Sequence, residues 1–401
     1  MTATFSQLPL HMRRNGFDPV DELGRMRDDD GVCQVDAGLG RSAYLISRYA
    51  DVRDVLADSR RFSNAISNPF ALTSGVEVTE EEVARQRAGN LLAWDPPEHT
   101  RLRRLLTPAF VGRRLRQLEP RIVEIVDDHL DALATAGPPA DLVAQFALPI
   151  PSLVICELLG VPYEDRAEFQ QRTSRQLDVT KPIEESLALA REGHAYMSGL
   201  IARARAEPRD DLLGLLVGEH GDDLTNDELI GIAALLLVAG HETTANMLGL
   251  GTFALLQHPT QLARIRDDPD SVEAAVEELL RWTSIVPAGM PRVTTVDVEI
   301  AGQHIPAGEL VVCALPAANR DPHLVEDPDR LDISRGAAGH VAFGHGVHHC
   351  IGAPLARMEM RIAFPALLRR FPRLALAVPE NEVSFRAHQA VFGVASLPVT
   401  W

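Results

Sequence analysis

From Thr225 to Leu256 the chain keeps an apolar pattern that suits one unbroken helix. At 1.5 Å rise per residue, about 30 residues span about 45 Å, enough to cross a whole domain. Thr225 and Glu228 form a capping box at its start, each side chain satisfying a free backbone N–H. A helix apolar on every side must be buried, so the rest of the fold has to wrap around it. Yet its middle, LLLVAGHETTANML, holds Gly240, His241, Glu242, Thr243 and Thr244. Glycine and threonine are weak helix formers, and buried polar side chains need partners. Local conflict of this kind marks a functional site. The competing reading is a threonine hydroxyl bonded to the i−4 carbonyl that merely bends the helix.

Further helical patterns cover 101–106, 115–136, 152–159, 184–207, 271–283 and 353–371, while β-type runs are short: 43–47, 296–300, 309–314 and the edges of the tail. VDVEIAGQHIPAGELVV reads as a hairpin turning at Ala301 and Gly302, with a second turn at Pro306 to Gly308. The expected fold is therefore mainly α with small accessory β-sheets. No linker, repeat or low-complexity tract divides the 401 residues, so a single domain over 1–401 is expected. The N-terminus lacks the apolar core of a signal peptide, and the longest apolar run, Ile230 to Gly240, falls short of the ~20 residues of a membrane span. A soluble, cytoplasmic monomer is expected, with no membrane partner. A net charge of −17 argues against nucleic acid. Locally the balance reverses: Arg103, Arg104, Arg113, Arg114 and Arg116 crowd one segment, and Arg357 and Arg361 share a helix face.

Residues 343–352, FGHGVHHCIG, set Cys350 in a glycine-rich loop before a helix that opens with Pro354. Gly344, Gly346 and Gly352 would permit positive φ and close approach to a flat ligand. At a helix N-terminus the Cys350 thiolate is favoured and becomes a soft, donating metal ligand. His340, His345, His348 and His349 beside it leave a zinc site conceivable, and a buried structural cysteine is the plain alternative. Cys33, Cys156 and Cys313 show no framework spacing, and the last two lie in apolar runs.

Together, this loop and the interrupted helix resemble the cytochrome P450 family, specifically the soluble haem-thiolate monooxygenases of actinomycetes. The resemblance runs along essentially the whole chain, through four motifs in family order. It implies the cytochrome P450 fold, with haem b between the long central helix and the helix after the cysteine loop. Phe343, Gly346, His348, Cys350 and Gly352 match the family's cysteine loop. By that match Cys350 is the axial iron ligand, Phe343 packs beside the sulfur, and His348 reaches a propionate. Ala239, Gly240, Glu242 and Thr243 match the oxygen-activating segment. There Gly240 would leave room for dioxygen, Thr243 would hydrogen-bond oxygen and hold a water, and Glu242 would pass protons inward. Glu278 and Arg281 match the ExxR pair, a spacing that lets carboxylate and guanidinium meet on one face. A downstream arginine joins that pair in the family, here Arg330, although Leu331 stands where a phenylalanine is usual. His99, Arg103 and Arg292 match propionate-binding positions.

The same resemblance implies hydroxylation or epoxidation of a bulky, largely apolar small molecule such as a macrolide or other polyketide, in antibiotic biosynthesis. A xenobiotic, terpenoid or steroid-type substrate is the alternative within the family, and a haem-thiolate sensor the alternative outside catalysis. With no flavin or nicotinamide segment, electrons would come from a ferredoxin and its NAD(P)H-linked reductase, the ferredoxin docking on basic residues such as Arg113, Arg114 and Arg361. Substrate contacts are expected from Asn64 to Leu92, Arg172 to Glu185, Val238, Val286, Ala288, Gly289, Met290, Val391, Phe392 and Val394.

Overall fold

The expected capping box closes. Thr225 Oγ1 accepts from the Glu228 N–H at 3.2 Å and Glu228 accepts from the Thr225 N–H at 2.7 Å. The helix that follows, Asn226–Gln257, is 32 residues long in the computed structural model, which describes residues 8–36, 42–65, 79–336 and 338–401. Helices Pro149–Leu159, Ile183–Ala206, Val272–Thr283 and Ala353–Arg370 pack along it. By length and composition the central helix could cross a membrane. Counting only uninterrupted apolar residues understated it. Here its apolar sides are buried against protein, among them Leu229, Ile232, Leu237, Leu250 and Phe253. One stripe is left less covered: Ala234, Leu235, Val238, Gly240 and Thr243 are half-buried and Ala239 is exposed.

All the anticipated helices form, with ends shifted by a few residues at most. Others went unread, including Asp21–Asp29, Glu80–Arg87 and Arg166–Gln176. Arg166–Gln176 shows why: in RAEFQQRTSRQ a single large apolar side chain, Phe169, anchors the helix, and it is fully buried. One anchor makes no periodic pattern.

Five strands pair in the order Val32–Asp36, Ser42–Ile46, Leu310–Cys313, Arg292–Thr294, Phe62–Ser63. Only the Ser42–Ile46 and Leu310–Cys313 pair is parallel. The anticipated hairpin joins Val298–Ile300 to Gln303–Ile305 through Ala301 and Gly302 at φ 49° and 78°, the two positive values a type I′ turn requires. In the tail, Ala375–Leu376 and Ala140–Asp141 flank Pro398–Thr400. This layout places Arg292, at the start of a strand, beside the cysteine loop.

Candidate active site

The cysteine loop folds back on itself. The Cys350 N–H donates to the Phe343 carbonyl at 2.9 Å, across a short turn at Gly346–His348. Gly346 has φ 73°, and a Cβ there would lie 2.5 Å from the Leu56 carbonyl oxygen, so only glycine fits. Gly352 departs from expectation. Its φ of −80° is ordinary, and it caps helix Ala353–Arg370. Its N–H and that of Ala353 are directed at the Cys350 sulfur. Cys350 is the exposed cysteine, whereas Cys156 and Cys313 are buried as anticipated. The protein packed around this accessible sulfur desolvates it and pushes its thiol up, against the Gly352 and Ala353 N–H groups and the Arg103 and Arg357 cations. A metal ion coordinated at that sulfur would favour the thiolate.

Zinc lacks its ligands here. Among the described residues no three His, Cys, Asp or Glu side chains converge. His340 turns to Glu277 at 3.2 Å, His345 to Arg53 at 3.4 Å, and His348 lies 4.3 Å from the His99 ring.

The His348 ring belongs to a different cluster. His99 and Arg103 come from helix Glu98–Leu106, Arg292 from its strand and His348 from the loop. Arg103 donates to the Val347 carbonyl at 3.2 Å and Arg292 to the Val55 carbonyl at 3.0 Å. Both ring nitrogens of His99 and of His348, and Nε of Arg292, are buried with no hydrogen-bond partner. Burial, then His99, Arg292 and Arg103, pushes His348 down to about 3, and burial with Arg103 lowers His99. Asp95 is the acid within reach, but its carboxylate already accepts from Ser63 and the Asn64 N–H. Buried donors of this kind need acceptors, and a ligand bearing two carboxylates fits them.

On the central helix, Thr243 Oγ1 donates to the Ala239 carbonyl at 2.8 Å. The hydroxyl thus makes the helix-bending bond and keeps lone pairs free to accept another. Gly240 is glycine for a local reason: its Cβ would lie 2.7 Å from Ile155 Cδ1, so the missing side chain admits helix Pro149–Leu159 rather than a ligand. Glu242 is 2% exposed and does not meet solvent directly. It accepts from Arg386 at 2.9 Å, and Arg386 also donates to Ser174 at 3.1 Å. Asn246 donates to the Glu242 carbonyl at 2.7 Å. Arg386 and Asn246 were not singled out from the sequence. Asn246 could have been, since it lies one turn beyond Glu242 in a buried helix.

Glu278 and Arg281 pair as the ExxR spacing requires, with two bonds of 2.8 Å and neither side chain exposed. Arg281 also donates to the Asn319 and Pro328 carbonyls at 2.8 Å. The third arginine is Arg335, 3.4 Å from Glu278, and not Arg330. Leu331 and Ile333 point into the core, so Arg330 turns outward and pairs with Asp332 at 2.9 Å and Asp327 at 3.2 Å. A turn from Asp332 to Arg335 then brings the later arginine back.

The expected substrate residues divide. Val238 and Val286 are half-buried and Val391 is buried. Ala288 bridges to Ala314 and packs on the sheet, and Gly289 lies against Leu56. Phe392 stacks on Phe385 at 5.4 Å and Val394 approaches Gly249, so both are core residues rather than pocket walls. Met290 is exposed. Residues 66–78 of the Asn64 to Leu92 stretch lie outside the described residues. In the Arg172 to Glu185 segment, the Val179 N–H donates to the His388 carbonyl at 3.0 Å, tying it to the tail.

An accessible cysteine beside donors shaped for two carboxylates, together with a central helix whose apolar run is interrupted by Glu242 and Thr243, suits one class of protein, the haem-thiolate oxygenases. Comparison with known proteins reaches the same class. A family model described as Cytochrome P450 matches residues 179–394. Cytochrome P450 FAS1 of Rhodococcoides fascians is 52% identical over 396 residues, 99% of each chain. The solved structure of CYP105P1 in complex with filipin I has a TM-score of 0.91 at 42% identity, covering 97% of each chain. That of P450 StaH from glycopeptide antibiotic biosynthesis has a TM-score of 0.86 at 44% identity, covering 98% of this chain and 100% of the other. The chain belongs to the cytochrome P450 family of monooxygenases, whose cofactor is haem b.

Proposed function

We propose that this monooxygenase oxidises a bulky, largely apolar metabolite in antibiotic biosynthesis. The observation that carries the assignment of the site is the unpartnered ring nitrogens of His99 and His348 and Nε of Arg292, with the Arg103 cation among them, beside the accessible Cys350. In this reading those four groups bind the two propionates, Cys350 ligates the iron, and Phe343, Gly346 and Gly352 shape the loop beneath. When bound, haem supplies the redox chemistry that activates dioxygen, aided by thiolate donation. Ala239, exposed in the middle of the central helix, leaves space beside the Thr243 hydroxyl. That hydroxyl, already donating to the Ala239 carbonyl, accepts a hydrogen bond from a water or from a protonated oxygen. Glu242 is the carboxylate that passes protons inward, and Arg386, which also donates to Ser174, holds it in place.

The antibiotic reading rests on the likeness to StaH and to the filipin-bound relative. Val238 and Val286 contribute apolar surface to the substrate side. Electrons arrive from a ferredoxin and its reductase, one chain acting as a monomer. The docking residues are narrowed by the ion pairs. Arg114 is held by Asp210 at 2.8 Å and Arg361 by Glu273 at 2.7 Å, whereas Arg113 and Arg116 are exposed on helix Gly112–Ala136.

The first experiment is a carbon-monoxide difference spectrum of the reduced protein, expected near ~450 nm for thiolate ligation. Product analysis with polyketide and peptide antibiotic precursors, driven by surrogate redox partners, then tests the substrate class. Reversing Arg113 and Arg116 to Glu slows ferredoxin-supported turnover and spares peroxide-driven turnover. Equal loss in both assays would rule out that docking face.

A further inference from the structure

Helix Val272–Thr283 presents two consecutive carboxylates, and only Glu278 belongs to the ExxR brace. Its neighbour Glu277 turns toward the cysteine loop. It accepts a two-pronged contact from Arg357, at 2.6 and 2.7 Å. His340 Nδ1 accepts the Ala342 N–H at 3.2 Å, which leaves Nε2–H to donate to Glu277, also at 3.2 Å. The guanidinium so held lies over the Phe343 ring, 4.5 Å from its centroid. His340 and His349 stand 6.2 and 6.3 Å from the same ring. Phe343 in turn accepts the Cys350 N–H through its carbonyl.

These contacts form one chain from carboxylate to guanidinium to ring to cysteine. Arg357 is seven residues past Cys350 on the helix that the cysteine loop begins, and its charge acts on the sulfur. A lysine could carry that charge but could not make the planar fork and lie flat on the ring. Although burial pushes the Glu277 carboxyl up, hydrogen bonds from Arg357 and His340 hold it down at about 2. It is therefore ionised throughout the physiological range and balances Arg357, with Arg361 a looser second partner at 3.7 Å.

We infer that Glu277 is a positioning residue for the iron site: it fixes Arg357 over Phe343 and balances the charge that Cys350 experiences. The inference rests on Cys350 as iron ligand. It concerns how readily the site accepts an electron, because a net positive charge near the sulfur favours the reduced form.

The test is the reduction potential of haem-loaded, full-length protein. Glu277→Gln keeps the shape and leaves Arg357 unbalanced, so the reduced-to-oxidised ratio at a fixed potential rises about threefold, ~30 mV for one electron. Arg357→Leu removes the cation and shifts the ratio by a similar factor in the opposite direction. Arg357→Lys restores most of the charge and returns toward wild type. Asp131→Asn, altering the exposed partner of Arg370 at the far end of the same helix, leaves the potential unmoved. Opposite signs for the first two variants are the expected result. Unchanged potentials, shifts of the same sign, or an equal shift in Asp131→Asn overturn the inference. Should Glu277→Gln fail to take up haem, Arg357→Leu and Arg357→Lys decide, and a wild-type potential in the leucine variant is refutation. A wild-type protein with no band near ~450 nm would instead remove the premise of thiolate ligation.

Discussion

Replacing Arg335 with Ala should destabilise the protein far more than replacing Arg330, although Arg330 holds the position that resemblance alone favoured. The Arg335 side chain is 14% exposed and lies 3.4 Å from Glu278, which is fully buried. It also donates to the Glu326 carbonyl and, at 2.8 Å, to the Asp327 carbonyl. Hydrogen bonds from a charged donor contribute about 1.5–3 kcal/mol each, less for exposed contacts such as these two, so the larger share of the cost lies in the ion pair with buried Glu278. Glu278 keeps Arg281 and the Asp332 N–H after the change, so it is not left wholly unpaired. A net cost of about 2–4 kcal/mol follows, somewhat less than the ~3–5 kcal/mol expected when a buried charge is stripped of its partner altogether. Arg330 is 63% exposed and both its acids are surface groups, which makes Arg330→Ala worth about 0–0.5 kcal/mol. Urea titration followed by far-UV circular dichroism measures the difference. With a slope of about 3 kcal/mol per M, the midpoint falls by about 1 M for Arg335→Ala and under ~0.2 M for Arg330→Ala. Equal midpoints, or a larger fall for Arg330→Ala, would refute the assignment of Arg335 as the third member of the brace.

Thr243→Ala removes the hydroxyl that can accept a hydrogen bond beside Ala239, so NAD(P)H consumption should part from product formation and the excess appear as hydrogen peroxide; unchanged coupling contradicts its role. Burial pushes His11 down from 6.5 to about 4, so the folded state resists its protonation. The stability present above pH 6.5 is lost as pH falls toward 4, by about 2 kcal/mol at pH 5, and His11→Phe should flatten the stability curve by that amount. Glu359 is fully enclosed, and burial raises its carboxyl well above the usual range while Oε2 has no partner. Since burial makes this acid harder to ionise in the folded chain than in the unfolded one, Glu359→Gln should stabilise the protein at pH 8, with the gain vanishing below the ordinary Glu value of about 4.3. Denaturation midpoints across pH check both predictions.

The features legible in the sequence are those closed within one or two helical turns. Thr225 with Glu228, Glu278 with Arg281 and His99 with Arg103 each lie three or four residues apart, so a regular backbone alone brings them to one face. Gly346 announced its turn because only glycine tolerates the conformation and the close Leu56 carbonyl. The unread residues are the far partners in long-range pairs. Arg386 meets Glu242 across 144 positions and Arg357 meets Glu277 across 80. With 39 Lys and Arg against 56 Asp and Glu, charge complementarity alone leaves too many candidate matches to choose among. Arg335 shows the sharper limit. It lies five residues past Arg330 in an irregular stretch, where no period says which side chain turns inward, and the choice falls to the burial of Leu331 and Ile333. A motif thus identified the local half of each interaction, while the half that tunes the site depended on how nonrepetitive segments cross the helices. For that reason Glu277, adjacent to a residue the ExxR pattern does name, could be separated from Glu278 only by the direction each carboxylate takes: one into the brace, the other toward the cysteine.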